Sequence, residues 1–283
     1  FFKSSARLGK SEWSVVESDE SDGSFLKVRP TYSIITNIDN EHLDFYKSVK
    51  RLKKSFIKFI EKTPPFGKSF ICIDDKNNRE IVKNLKIKNF HTYGTNSNSQ
   101  FHIKVISQSK NFSNFLIKIK LPGKKRYLIN NIKIPLLGLH NIRNATAAAA
   151  VGLSVGISIK NIKNGLKNFK GVERRFNKIF NYNNAIFFDD YAHHPTEISE
   201  VLKGVKKVYK EEDIVCIFQP HRISRLANLR KEFSFCFKDA NQVIMCPIYT
   251  AGEKLKIKIN YIDFGKEIIK NSNVRLIFVK NQN

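Results

Sequence analysis

A short apolar run followed by a polar cluster constrains the fold more than any other feature of this chain. Residues 184–188 predict a buried strand, and Asp189 and Asp190 follow directly where that strand ends. Pro195 suits the first turn of a helix that continues to about Tyr209. Because ligands of open α/β sheets bind at the carboxyl ends of the strands, the sequence predicts an α/β fold with a reaction site here.

Alternating strand and helix patterns extend the α/β prediction to the whole chain. The predicted elements of the first half are strands 12–17, 32–37 and 69–74, helix 48–62, an antiparallel meander of segments 101–106, 114–120 and 126–134, and helices 141–155 and 158–169. After a break at Gly171 the predicted elements are strands 185–188, 214–219, 242–246 and 274–279, helices 195–209 and 260–270, and a helical stretch that ends near Lys238. The restart predicts two domains, 1–170 and 171–283, of which the second is a mostly parallel α/β unit.

Composition narrows the class of protein. The 283 residues, 41% of them apolar, suffice for two hydrophobic cores. The sequence contains no apolar run near the length of a membrane span and no export signal at its start, so we expect a cytoplasmic protein without membrane insertion. The four cysteines show no C-x-x-C spacing, which fits a reducing compartment.

The formal net charge of +25 raises the alternative of a nucleic-acid-binding protein. The lysines are scattered through every predicted element, however, and form no concentrated stripe. This distribution indicates a generally basic surface, and no nucleic acid is expected as a partner. A nonenzymatic α/β module that binds polyanions remains the alternative to an enzyme.

Two polar clusters follow predicted strands in the first half. Residues 17–22 carry four carboxylates, beginning with Glu17, and such oxygens suit a hard cation or a solvated loop. Residues 36–42 end in His42, whose imidazole could bind a metal or cap the next helix. Clusters after neighbouring strands of one sheet would lie side by side.

Two further clusters contain nitrogen donors. His140, Asn141 and Asn144 precede an alanine-rich helix, where amides could contact an adenine edge or form part of an ordinary helix start. Arg222 and Arg225 follow a predicted strand and are three residues apart, which suits bidentate binding of carboxylate or phosphate oxygens.

Taken together, these motifs resemble those of the Mur ligase family along nearly the whole chain. The matching segments are residues 6–9, 17–22, 36–44, 140–145, 174–176, 189–195, 219–225 and 249–253. The resemblance implies a central ATPase-type domain, here partial, with a mixed sheet, helices and a small antiparallel meander. It implies a Rossmann-like C-terminal α/β domain, also partial, after it.

The resemblance also implies an activity. Residues 219–222 are more similar to the branch that adds L-alanine than to the branch that recycles a murein tripeptide, which stays the alternative within the family. The implied reaction is the ATP-dependent joining of L-alanine to the carboxylate of UDP-N-acetylmuramate, in peptidoglycan precursor synthesis, through an acyl phosphate. ATP and Mg²⁺ are the implied cofactors, and the oligomeric state is not predicted.

Residue roles follow where the motifs match. The residues implied to bind magnesium are Glu17 and His42, and those implied to bind ATP are His140, Asn141, Asn144 and Arg175. The residues implied to act at the reactive centre are Asp190, Tyr191, His193, Arg222 and Arg225.

The match with the family is incomplete at both ends. Family members carry a UDP-sugar domain and a P-loop before the first motif matched here, and the triplets Gly9-Lys10-Ser11 and Gly67-Lys68-Ser69 lack the first glycine of a P-loop. The resemblance therefore implies a fragment of a longer ligase. We expect the 283 residues alone neither to hydrolyse ATP nor to ligate alanine.

Overall fold

The computed structural model describes residues 6–123, 125–253 and 259–279. These residues belong to two compact units. The first unit consists of Phe1–Ser107, Asn114–Pro135 and Asn141–Lys170, and the second of Gln108–Ser113, Leu136–His140 and Gly171–Asn283. The domain limits 1–170 and 171–283 stay a prediction, since two short segments of the first half group with the second unit. No helix in the described residues is both long enough and apolar enough to cross a bilayer.

A six-stranded sheet is the framework of the first unit. Its strands, adjacent in this order, are β1 (Tyr32–Ile35), β2 (Lys68–Cys72), β3 (Phe90–Gly94), β4 (Phe101–Gln108), β5 (Ser113–Ile119) and β6 (Tyr127–Ile134). Parallel pairing joins β1 to β2, β2 to β3 and β3 to β4. The three segments predicted as a meander are β4, β5 and β6, and they continue the same sheet.

Helices follow the strands of the first unit where local signals predict them. The helices are α1 (Leu43–Tyr46), α2 (Val49–Glu61), α3 (Lys76–Val82), α4 (Leu139–Ser154) and α5 (Ile159–Asn168), and a 3-10 helix spans Ser24–Lys27. Ser48 and Ser158 start α2 and α5, because their hydroxyl oxygens accept the backbone N–H of the residue three positions ahead, at 3.3 and 3.2 Å. The predicted helices 48–62, 141–155 and 158–169 are confirmed.

The predicted strand 12–17 is wrong. Residues 13–20 contain no strand, and the side chain of Val15 is 98% exposed. A strand needs a hydrogen-bonded neighbour, and β1 pairs only with β2 in the described sheet. Sequence analysis also missed β3 and α3, whose polar Asn, His and Thr residues weaken the apolar periodicity.

The second unit contains a three-stranded parallel sheet. Its strands are β9 (Val215–Phe218), β10 (Gln242–Met245) and β11 (Arg275–Phe278), with β10 in the middle. The helices are α6 (Pro195–Val208), α7 (Ile223–Asn228), α8 (Arg230–Phe235) and α9 (Tyr261–Ser272). Phe218, Phe233, Phe237 and Phe264 are buried together in its core. The predicted alternation of strands and helices in residues 195–279 is confirmed.

The strand that ends at the predicted reaction site differs from its prediction. It forms β8 (Ala185–Asp189), which pairs antiparallel with β7 (Asn177–Tyr182) in a separate hairpin. The sequence pattern missed β7. Asn183 and Asn184 take φ values of 44° and 63°, as a two-residue hairpin turn requires. The expected burial is wrong for the start of β8, because Ala185 and Ile186 are exposed.

Candidate functional site

The loop after β8 holds Asp190 in a half-buried position. Asp190 Oδ1 accepts a 2.7 Å hydrogen bond from the backbone N–H of Ala192. Burial raises the pKa of Asp190 above its ordinary value, although the backbone N–H groups of Ala192 and Phe176 oppose the shift. A carboxyl group whose pKa moves towards neutrality at the end of a strand is suited to proton transfer.

A row of four rings extends from this loop to the loops after β9 and β10. The centroid of the Tyr191 ring lies 5.1 Å from that of His193, His193 lies 5.8 Å from His221, and His221 lies 5.4 Å from Tyr249. The backbone supports this row, since residues 221 and 249 form a parallel bridge. The structure thus brings the predicted Tyr191 and His193 to the motif that carries Arg222 and Arg225.

Glu197 links the predicted Arg175 to the predicted His193. One carboxylate oxygen of Glu197 accepts the backbone N–H groups of His193 and His194 at 3.1 and 3.3 Å, and the other lies 3.4 Å from Arg175 Nη1. Burial acts to raise the pKa of Glu197, but these donors and the charges of His193 and Arg175 outweigh burial and hold it below its ordinary value. The neighbouring Arg174 instead lies over the Tyr191 ring, 4.6 Å from its centroid.

Arg222 occupies a strained position at the start of α7. Its φ of 68° lies in the left-handed region, which a residue with a side chain enters at a cost. Its backbone N–H donates to the carbonyl of Tyr249 at 2.9 Å, and the side chain is exposed. Arg225 lies one helical turn further on, where Nη1 is 3.2 Å from His221 Nδ1 and donates to the His221 carbonyl at 3.3 Å.

Glu253 fixes the same helix start from the loop after β10. Its carboxylate accepts the backbone N–H of Ser224 at 3.1 Å and the Ser224 hydroxyl. Burial acts to raise the pKa of Glu253, but the donors from Ser224 and Ile223 and the charge of Arg222 lower it overall. The negative charge beside Ser224 therefore persists at neutral pH and holds the loop that carries Arg222.

We expect His221 to titrate below its ordinary pKa of 6.5, first because of burial and then because of the charge of Arg225. A histidine whose folded-state pKa is lowered binds its proton less well than in the unfolded chain. His221 is therefore neutral and costs no stability above about pH 6.5. As the pH falls below that value, the unfolded chain takes up the proton more readily and the free energy of unfolding decreases. The titration of the His221 ring by NMR measures this pKa.

Arg225→Gln is expected to raise the pKa of His221 towards 6.5, since it removes a neighbouring positive charge. Arg230→Gln is the matched control, because Arg230 pairs with Glu267 on α9. An Arg225→Gln titration identical to that of the wild type would contradict the assigned cause.

In the first unit, the two predicted metal ligands differ in exposure, because His42 is half-buried and Glu17 is exposed. His42 starts α1 with φ 55°, and its Nε2 lies 3.6 Å from Glu20 Oε1. Glu17 is exposed in the segment that precedes the 3-10 helix. Across the described residues, no group of three or more His, Cys, Asp or Glu side chains has the arrangement of a metal site. One carboxylate and one imidazole supply only part of the octahedral coordination of Mg²⁺. Phosphate and water oxygens would supply the remaining ligands.

The predicted adenine contacts lie at the start of α4. Asn141 is half-buried and Asn144 is exposed, and both belong to the first unit, whereas His140 groups with the second. Between the two asparagines, Arg143 Nε donates a 2.7 Å hydrogen bond to Asp74 Oδ2. The structure therefore places Asn141 and Asn144 on one helical turn.

Sequence reasoning assigned no role to four residues that organise these sites, although two of them lie within the matching segments 140–145 and 249–253. They are Glu197, Glu253, Asp74 and Arg143. Only Glu197 carried a usable local signal, because it stands three residues after the helix start at His194 and completes a capping box. The other three act through contacts between distant segments, which no spacing in the sequence predicts.

Comparisons with known proteins place the chain among ligases. The model of the Mur ligase middle domain matches residues 4–152, and that of the Mur ligase, glutamate ligase domain, matches residues 174–276. A UDP-N-acetylmuramate–L-alanine ligase of Pelagibacter ubique is 62% identical over 280 residues, which cover 99% of this chain and 60% of the relative. The chain thus spans about 60% of that relative's length.

Solved structures give the same result for the fold. The UDP-N-acetylmuramate-alanine ligase MurC from Thermotoga maritima matches with a TM-score of 0.69 and 28% identity, over 93% of this chain and 54% of that one. A murein peptide ligase from Psychrobacter arcticus matches with a TM-score of 0.56 and 22% identity, over 91% and 51%. The second likeness concerns the fold alone. The α/β class predicted from the sequence is confirmed.

Proposed function

The chain belongs to the Mur ligase family, and on that premise we propose that it forms the ATP-binding and amino-acid-binding parts of an ATP-dependent ligase. The proposed reaction joins L-alanine to the carboxylate of UDP-N-acetylmuramate, in peptidoglycan precursor synthesis. The observation that carries the proposal is the 62% identity to an L-alanine ligase over 99% of the chain. A cytoplasmic location stays a prediction.

The proposed chemistry proceeds in two steps. A carboxylate oxygen of UDP-N-acetylmuramate attacks the γ-phosphorus of ATP, so that an acyl phosphate forms and ADP leaves. The amine of L-alanine then attacks the acyl carbon, and phosphate leaves from the tetrahedral intermediate as the amide forms. Both steps gather negative charge, which fixed cations and oriented N–H donors stabilise.

The second unit supplies the groups that we propose at the reactive centre. Arg222 is exposed at a strained helix start, where its guanidinium can bind the alanine carboxylate through two parallel hydrogen bonds. Arg225 supplies a second positive charge nearby. His193 and Tyr191 lie in the same row of rings, and Asp190, with its raised pKa, is the proposed acceptor for a proton of the amine.

The first unit supplies most of the groups that we propose to bind ATP and Mg²⁺, whereas Arg175 and His140 belong to the second unit. Asn141 and Asn144 offer amides to the adenine edge, and Arg175 and His140 are the proposed further ATP contacts. Glu17 and His42 are the proposed ligands of Mg²⁺, which would offset phosphate charge when bound.

Two alternatives remain distinct from this proposal. A murein tripeptide-recycling ligase would share the fold and the ATP site, and would differ in the amino compound that it accepts. A nonenzymatic polyanion-binding module would depend on the net charge of +25 and would lose affinity steeply with added salt. Because the two described units carry the family's motifs at strand and helix ends, we favour the ligase.

The test is a chimera in which this chain replaces the aligned region of the Pelagibacter ubique ligase. We expect the chimera to release phosphate from ATP in the presence of UDP-N-acetylmuramate, with a rate that depends on L-alanine and lies within about tenfold of the parent. The controls are the parent ligase and an assay of the chimera from which UDP-N-acetylmuramate is omitted.

Each alternative predicts a different result. Phosphate release that depends on a tripeptide and not on L-alanine would assign the recycling reaction. A folded chimera without release, together with salt-dependent binding of arbitrary duplex DNA by the chain itself, would replace the ligase with the polyanion-binding module.

A further inference from the structure

The Asp74 carboxylate joins three distant segments of the first unit. It follows β2, it accepts hydrogen bonds from the loop after β3, and it pairs with Arg143 near the start of α4. The backbone N–H groups of Thr95 and Asn96 donate to it at 3.0 and 2.9 Å, the Thr95 hydroxyl donates at 2.9 Å, and Arg143 Nε donates at 2.7 Å. Four donors therefore fix one carboxylate.

The site is built for a permanent negative charge. Burial acts to raise the pKa of Asp74, but the donors from Thr95, Arg143 and Asn96 lower it overall. The side chain of Asp74 is 8% exposed, and that of Arg143 is 25% exposed. Gly94 lets the backbone approach the carboxylate, since a Cβ atom at that position would lie 2.5 Å from Asp74 Oδ1.

Apart from Ile142 and the pair with Asp74, the buried surface of α4 is made of small side chains. Four of its seven buried residues are alanines, which carry no polar side-chain group. The hydroxyls of Thr146 and Ser154 donate to carbonyls of α4 itself, at 2.8 and 2.9 Å. The pair with Asp74 is a charged tie between the first turns of this helix and the strand ends.

We propose that Arg143 is a positioning residue, which fixes the first turns of α4 so that Asn141 and Asn144 are oriented towards an adenine base. This inference rests on the proposed adenine contact. Arg143 lies between the two asparagines in the sequence, so any rotation of the helix start that its removal allows also turns both amides. Misplacement of a binding group by about 1 Å is enough to cost a large factor in a positioned interaction.

A purely structural ion pair would behave differently. It would stabilise the unit without any effect on a ligand of the folded protein. Arg230 provides the matched comparison, because it forms two 2.9 Å hydrogen bonds with Glu267 between α8 and α9 in the second unit. Loss of that pair should change stability and leave α4 unaffected.

The experiment uses the whole chain and its Arg143→Met, Arg143→Lys and Arg230→Met variants, at a temperature where each is folded by circular dichroism. NMR titration with adenosine gives a Kd from the amide signals, and hydrogen exchange of the ligand-free protein reports on residues 141–146. We expect Arg143→Met to raise the Kd about tenfold and to speed exchange of those amides. Arg143→Lys keeps the charge, so its Kd and exchange rates should lie between those of the wild type and of Arg143→Met. Arg230→Met should have the Kd and exchange rates of the wild type.

The outcomes separate the inference from the proposed function. Unchanged exchange of residues 141–146 in Arg143→Met, or faster exchange with unchanged adenosine affinity, overturns the positioning role. If Arg143→Met does not fold, the same readings are taken from Arg143→Lys. If the wild type itself does not bind adenosine while exchange in Arg143→Met is faster, the proposed adenine contact fails and the positioning of α4 is supported.

Discussion

Replacing Gly94 by alanine is expected to lower the free energy of unfolding of the first unit by about 3–5 kcal/mol. Gly94 has φ 144°, a region that side chains rarely adopt, and a Cβ atom there would lie 2.5 Å from Asp74 Oδ1 and 2.8 Å from its Cγ. Relief of that overlap would move a buried carboxylate away from its four donors. Thermal or urea unfolding, followed by circular dichroism, measures the loss.

Gly156→Ala is the matched control for the backbone. Gly156 has φ 82°, so alanine is strained there too, but no atom lies within 4 Å of the added Cβ. We expect a loss of about 1–2 kcal/mol, which is the cost of the left-handed conformation alone. Equal losses at the two positions would mean that the approach to Asp74 contributes nothing.

Local signals account for the elements that the sequence predicted correctly. The helix predicted over 48–62 is α2, because the Ser48 hydroxyl accepts the backbone N–H of Arg51 and apolar residues recur at helical spacing. Pro195 begins α6 for the same kind of reason, since its fixed φ suits the first turn and it needs no N–H partner. Such signals act within a few residues and can be read without a tertiary structure.

Pairing between strands accounts for the wrong predictions of the strand at residues 12–17 and of the burial of residues 185–186. Residues 12–17 alternate like a strand, yet a strand exists only where a neighbour accepts its hydrogen bonds. The segment at β8 was correctly predicted as a strand, but its partner is the missed β7, where polar Asn and Lys residues hide the pattern. The burial inferred for a strand in a parallel sheet therefore did not apply to Ala185 and Ile186.

In the candidate site, too, local signals predict some features and contacts between distant segments determine the others. The positions of Asp190, His193, Arg222 and Arg225 near strand ends followed from the order of elements. Their supports did not, because Glu253 reaches Ser224 across 29 residues and Asp74 reaches Arg143 across 69. Contacts of this length depend on how loops after different strands meet, which a single sequence does not specify.

Arg222→Ala in the chimera is expected to lower kcat/KM for L-alanine by about 100-fold or more. The reason is the loss of the guanidinium that we propose to bind the alanine carboxylate and the charge that develops beside it. The KM for L-alanine should rise and kcat should fall, whereas the KM for ATP should change little. Alanine-dependent phosphate release, measured over a range of alanine concentrations, gives these values.

Arg222→Gly separates the side chain from the backbone at the same position. Because φ is 68° there, glycine relieves backbone strain. The free energy of unfolding of Arg222→Gly should therefore exceed that of Arg222→Ala by about 1 kcal/mol. We nevertheless expect it to lose activity as fully as alanine does, since both lack the guanidinium. Arg230→Ala, which breaks the pair with Glu267, should do the reverse and lower stability with kcat/KM intact. A glycine variant that is stable and as active as the unmodified chimera would show that Arg222 holds the loop in place and binds no substrate.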